Sequence, residues 1–227
     1  MKPAMPKQLP LDLRHTPGLG RDDLIVGGAN REAVDLIGRW PDWPSPVAVL
    51  CGPAGSGKTH IAAIWQAESG AAAFDAAQLA NEDVLRGPDR PILIDGVGEA
   101  PIDEQGLFHL INAVRSARTS VLMTSRRQPS SWPVRLPDLA SRLKAATTVE
   151  IAAPDDHLLA AVITKLFADR QVAVDPQVVS FLISRIERSL SAASSMVSRL
   201  DRAALERKSR ITRALAAEIV AASGNPF

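Results

Sequence analysis

Pro46-Val-Ala-Val-Leu-Cys51, Gly52-Pro-Ala-Gly-Ser-Gly-Lys-Thr59 and His60-Ile-Ala-Ala-Ile-Trp-Gln-Ala67 follow one another without a break. The middle block is a complete G-x-x-x-x-G-K-[ST] loop, the first reads as a buried strand, and the last can run as a helix. Glycines at 52, 55 and 57 let the backbone curl tightly and aim several N–H groups at one anion. The helix behind adds the positive end of its dipole. Lys58 supplies a point charge for β- and γ-phosphates and Thr59 a hydroxyl for Mg2+. The loop therefore predicts a purine nucleotide, ATP or ADP. Its candidate contacts are Gly52, Pro53, Ala54, Gly55, Ser56, Gly57, Lys58, Thr59 and His60.

The chain has 227 residues, enough for one α/β domain and a smaller appendage. Apolar residues make up 46% and aromatics only 4%, without tyrosine, so the core must be built from Leu, Ile, Val and Ala. A net charge of +1 leaves no electrostatic footprint for non-specific nucleic-acid binding. The single cysteine, Cys51, rules out an internal disulfide and fits a reducing cytoplasm. No secretory signal is visible, and no apolar stretch approaches the ~18–20 residues of a membrane span, so a soluble cytoplasmic protein is expected.

Residues 1–20 are rich in Pro, Gly and basic residues and lack periodicity, which predicts a flexible tail. Residues 21–153 alternate strand-like and helical stretches, with strand runs at Ala48–Cys51, Ala72–Asp75, Pro91–Asp95, Ser120–Ser125 and Thr147–Ile151. That alternation predicts βαβ units, a parallel sheet and a ligand at the C-terminal strand ends. Residues 154–227 carry helical spacing only. Asp175-Pro176 is a helix start, and further helices are expected at about Ala192–Lys208 and Thr212–Ala222. The fold class is α/β, with a small C-terminal helical unit.

Pro91-Ile-Leu-Ile-Asp95 places a carboxylate at a strand end about 37 residues after Lys58, a second candidate Mg2+ group. The next position, where hydrolysing relatives carry an acid, is Gly96, and Glu99 lies three residues on. Intrinsic hydrolysis should be weak or absent. Ser120-Val-Leu-Met-Thr-Ser125 ends in two hydroxyls followed by Arg126 and Arg127, which read either as a polar strand end sensing a γ-phosphate, with Ser125 the candidate, or as a surface turn with basic decoration. Arg142, ahead of the last strand, can act in trans as a finger on another subunit's nucleotide or stand as a solvated helix arginine. His15, His60, His109 and His157 lack ligand spacing.

In this order the segments Asp22-Asp-Leu-Ile-Val-Gly27 with Asn30, Gly52 to His60, Ile92 to Asp95, Leu122 to Ser125 and Leu136-Pro-Asp-Leu-Ala-Ser-Arg-Leu143 resemble the AAA+ ATPases of the bacterial replication-initiator branch. The resemblance spans about residues 22–222 and implies an AAA+ domain with a helical lid, in which Ile25, Val26 and Asn30 join the nucleotide contacts. An initiator of the DnaA type would continue into a DNA-binding helix-turn-helix. This sequence stops at Phe227, so the expectation is the Hda/HdaA family, truncated relatives that inactivate the initiator.

That family is tethered to the sliding clamp, the DNA polymerase III β subunit, by a short N-terminal peptide, and Gln8-Leu-Pro-Leu-Asp-Leu13 looks like it. Gln8 would fill a polar subsite and Leu11 and Leu13 an apolar cleft, with Leu9 and Asp12 completing the contact. The resemblance implies that Arg142 completes the site on ATP held by a DnaA-type initiator, with DNA engaged only through the clamp. Homo-oligomerisation is a further expectation. The sequence departs from the family at Ser191, where relatives place a phosphate-reaching lid arginine; Arg188 lies three residues earlier. The alternatives are an ATP-driven helicase-loader-like remodeller and a small-molecule kinase. The kinase is disfavoured because residues 68–90 carry only Arg86 and Arg90.

Overall fold

The computed structural model describes Gly18 and residues 20–79 and 89–222. The proposed clamp-binding residues Gln8, Leu9, Leu11, Asp12 and Leu13 lie outside the described residues. Helix α1 spans Arg31–Gly38, strand β1 Val47–Cys51, α2 Lys58–Ser69, β2 Ala72–Asp75 and β3 Ile92–Asp95. Helix α3 spans Glu104–Ser116, β4 Val121–Ser125, α4 Pro137–Lys144 and β5 Thr147–Glu150. Four helices follow: α5 Asp156–Ala168, α6 Pro176–Ile183, α7 Leu190–Arg207 and α8 Arg213–Ala221.

The strands form one sheet in the order β2-β3-β4-β1-β5, and every pair is parallel. All five apolar runs of the sequence are strands, with ends shifted by a residue at most. Parallel neighbours need crossovers, and these bring helices to both faces. Side-chain alternation then divides the strands between two cores. Val49 and Met123 point towards Leu107, Leu110 and Leu139 of α3 and α4. Leu50 and Leu122 point towards Leu36, Ile61 and Trp65 of α1 and α2. The central strands β1 and β4 are buried throughout, whereas the edge strands β2 and β5 alternate partly buried with exposed positions.

Helices α5–α8 enclose their own core around Leu159, Ile163, Phe167, Leu182, Val197 and Leu200. Their starts are capped by local side chains, as short polar residues do at helix N-termini. Asp155 accepts from the Leu158 amide at 2.7 Å and Asp175 from the Gln177 amide at 2.8 Å. Ser189 accepts from the Ala192 amide at 3.0 Å, so α7 begins two residues earlier than its apolar spacing suggested.

Candidate nucleotide site

The register of the three central strands brings the chemistry to one edge. Cys51 pairs with Ser125, and Asp95 ends the neighbouring β3. The loop leaving β1 is tied at once to β4, because the Gly52 amide donates to the Ser125 carbonyl at 3.2 Å. Gly52 has φ +151°, and a Cβ there would overlap the Ile151 carbonyl, so only glycine permits this turn. The loop then runs directly into α2, with Gly57 as its left-handed N-cap.

Lys58 is buried, and its ammonium donates to the carbonyls of Gly52 at 2.8 Å and Pro53 at 2.7 Å. Burial pushes its pKa below that of a free lysine, with Glu99 and Asp95 opposing and Arg126 reinforcing the shift. The Ser56 hydroxyl is buried within the loop and has no hydrogen-bond partner. Pro53 and Ala54 form the exposed tip of the loop. Burial likewise pushes the Cys51 thiol up, helped by Glu150, which leaves it a small inert core residue.

At the end of β3 the Asp95 carboxylate accepts a short hydrogen bond from the Thr124 hydroxyl, which in turn accepts from the Gly96 amide at 3.0 Å. Ser125, the sensor candidate of the sequence, points elsewhere: its hydroxyl accepts from Trp132 Nε1 at 3.1 Å and from the Arg127 amide at 3.2 Å. Thr124 is thus the hydroxyl beside Asp95. Adjacent strand residues face opposite ways, so the pair Thr124-Ser125 could not be resolved without the sheet. Gly96 turns at φ +78°, and Glu99 pairs with Arg126 at 2.9 Å.

Between the phosphate loop and the helical unit lies a cavity of about 430 Å3. Gly55, Gly57, Lys58, Thr59 and His60 line it, as do Ile25 and Asn30. Asn30 is buried, accepts from the Gly27 amide at 2.8 Å and donates to the Ile25 carbonyl at 2.9 Å, which folds the segment before α1 into the cavity wall. Val26 is 44% exposed and outside that wall. The facing wall comes from residues the sequence did not single out: Val162, Lys165 and Leu166 of α5, and Leu190 and Ser194 of α7. Their only sequence signal was an i, i+4 pattern on α5, which equally describes any amphipathic helix.

The helical unit rests on the phosphate loop itself. The Leu190 amide donates to the Gly55 carbonyl at 2.7 Å, and Ser189 and Ser191 sit against Gly55. Ser191 lines the cavity, whereas Arg188 turns away to pair with Asp156 at 2.9 Å. Arg142, on α4, is also outside the cavity wall. Its guanidinium stacks 4.9 Å from the centre of the Phe108 ring, and its Nε is buried without a hydrogen-bond partner.

A parallel sheet in this order, with the phosphate loop after β1 and a helical lid over it, defines a P-loop ATPase fold of the AAA+ class. Within that class the fold is DnaA-like, and the helical lid is similar to that of the Hda family. Residues 156–219 match the family model "Hda, lid domain". The chain is 27% identical to an uncharacterised Haemophilus influenzae protein over 225 residues, covering 92% of this chain and 96% of that one. It is 29% identical to the chromosomal replication initiator DnaA of Cutibacterium acnes over 87 residues, 38% of this chain and 17% of that protein. Domain III of Thermotoga maritima DnaA superposes with a TM-score of 0.75 at 16% identity, over 88% of this chain and 95% of that one. AMPPCP-bound DnaA from Aquifex aeolicus superposes at 0.70 and 19% identity, over 82% of this chain and 66% of that one.

Proposed function

We propose that the chain is a nucleotide-binding AAA+ negative regulator of DNA replication initiation, tethered to the sliding clamp and promoting hydrolysis of ATP bound to a DnaA-type initiator. The observation that carries this reading is a division of labour. The phosphate loop lines the cavity, while Arg142 does not line it and stacks on Phe108 instead, which supports a role on another molecule's nucleotide.

The cavity would take ATP or ADP. The loop amides and Lys58 would hold the phosphates, with Lys58 exchanging its two carbonyl partners for phosphate oxygens. The unpartnered Ser56 hydroxyl fits a loop shaped to hold an anion. Thr59 and Asp95 offer the hard oxygen donors that suit Mg2+, and Thr124 would orient the Asp95 carboxylate towards it. When bound, Mg2+ would neutralise phosphate charge. The AMPPCP-bound relative supports an adenine nucleotide.

The protein's own nucleotide would turn over slowly. Gly96 offers no carboxylate, Glu99 is engaged by Arg126, and the lid presents Ser191 where relatives have an arginine. Its role would be a settled ligand that fixes the lid, leaving Arg142 to spread charge in the initiator's transition state. Gln8, Leu9, Leu11, Asp12 and Leu13 would bind the clamp as an extended peptide and concentrate the regulator near its target.

The test is phosphate release from ATP-loaded initiator in the presence of DNA-loaded clamp. Wild-type chain should stimulate it and Gln8→Ala should lose stimulation together with clamp binding. Absence of stimulation by the wild type would reject the regulatory role and leave a nucleotide-binding AAA+ module.

A further inference from the structure

The Lys165 ammonium on α5 donates to Asp23 at 2.8 Å and to Asp169 at 2.9 Å. Lys165 and Asp23 both line the cavity, yet they are separated by 142 residues of chain and belong to opposite walls. Asp23 is not a loose surface group. It ends a 3-10 turn, Arg21–Asp23, whose Arg21 pairs with Glu68 of α2 at 2.6 Å. The Gly20 carbonyl just before that turn lies 3.2 Å from a ring nitrogen of His60. Asp23 is therefore a post anchored to the sheet side, and Lys165 is a hook on the lid. Their side chains are 34% and 26% exposed, so solvent screens the pair only in part. Each perturbs the other in the direction of a formed ion pair: Lys165 is held above the usual lysine value and Asp23 below the usual carboxylate value.

We propose that the Asp23–Lys165 pair is a clasp across the nucleotide cavity, which must open for nucleotide to enter or leave and so sets the exchange rate. The proposal rests on the nucleotide reading of the cavity. A ligand held beneath a lid can depart only when lid and body separate. Among the described residues, the polar bonds that hold lid to body against that separation are the Leu190–Gly55 backbone bond at the phosphate loop and this ion pair. The backbone bond depends little on ionic strength. The clasp is an ion pair, so exchange should quicken with salt.

A gate and a ligand contact leave different kinetic signatures. Removing a contact to bound nucleotide quickens release alone and weakens affinity. Removing a clasp present in both the empty and the filled protein quickens entry and release together, with affinity shifting less than either rate.

The experiment is stopped-flow binding and displacement of a fluorescent ADP with the full chain, comparing wild type, Asp23→Ala, Lys165→Ala and the double exchange Asp23→Lys with Lys165→Asp. Thermal melts of each variant confirm the fold. The single variants should raise both rates by about two- to fivefold, the worth of one partly screened ion pair. They should also lose much of the salt dependence. The double exchange should restore slow kinetics, since it rebuilds a lysine between two carboxylates. Unchanged rates in folded single variants that bind ADP would overturn the clasp, as would faster release with unaltered entry, which would make Lys165 a ligand contact. Failure of the wild type to bind ADP would instead overturn the nucleotide reading, and the clasp would fall with it.

Discussion

The Leu190 amide donates to the Gly55 carbonyl at 2.7 Å, so the lid is hydrogen-bonded to the phosphate loop it covers. Ser189 and Ser191 pack beside that bond against the bare Cα of Gly55. Lid position and loop conformation are therefore one structural variable, and a change at either must be felt at the other.

Gly55→Ala tests this coupling. Gly55 has φ +69°, and a Cβ would lie 2.6 Å from the Ser189 Cβ, a contact with too little flexibility to yield. The left-handed conformation alone costs about 1–2 kcal/mol for alanine. With the overlap added, denaturant unfolding should show a loss of roughly 1–3 kcal/mol and the lid should become more protease-sensitive. Wild-type stability and lid protection would show that the lid does not rest on the loop in solution.

Thr124→Val separates the two hydroxyls at the end of β4. Thr124 is fully buried and serves both Asp95 and the Gly96 amide, so its loss should cost about 1–3 kcal/mol and weaken Mg2+-dependent nucleotide binding. Ser125→Ala should affect stability through Trp132 while leaving the Mg2+ dependence intact. Calorimetric titration with ADP, with and without Mg2+, checks both. The opposite pattern would make Ser125, not Thr124, the hydroxyl that supports the Mg2+ site.

The strands, the phosphate loop and Asp95 were legible because each is encoded within a few consecutive residues: a β-branched apolar run, a glycine spacing, a carboxylate at a strand end. The Asp175-Pro176 helix start was legible for the same reason, and Asp175 does cap α6. Thr124 was not separable from Ser125, since their facing depends on the phase of the strand within the sheet. Lys165 was invisible because its partner, Asp23, meets it only after α5 has docked across the cavity. Local chemistry is written in sequence; which remote side chain closes a cavity is decided by packing.

Arg142→Ala should fold, bind nucleotide and bind clamp, because its side chain lines no part of the cavity and forgoes only a ring stacking of about 0.5–1 kcal/mol. Stimulation of initiator-bound ATP hydrolysis should nevertheless fall by about three orders of magnitude or more, the usual worth of an arginine finger. Single-turnover phosphate release is the measurement. Full stimulation by Arg142→Ala would assign the finger to another residue. Lost clamp or nucleotide binding would instead show that the Phe108 stacking holds the fold.

Lys58 gives the pH dependence. Burial holds its pKa below the ordinary 10.5, against the pull of Glu99 and Asp95. A lowered pKa means that the nucleotide-free protein sheds this proton earlier on the alkaline side than an exposed lysine would. Phosphate binds the protonated form, so ADP affinity should be flat at neutral pH and weaken as pH rises towards, but still below, 10.5. Stability runs the opposite way. Burying the charged amine is a cost present at neutral pH, and it is relieved as pH climbs from the folded towards the unfolded pKa. Lys58→Ala should therefore lower ADP affinity by about ten- to a hundredfold, abolish its alkaline fall, and leave the fold no less stable at neutral pH. Calorimetric titrations at several alkaline pH values decide it: if the fall persists in Lys58→Ala, another group carries the titration and Lys58 is a structural tie between the loop carbonyls.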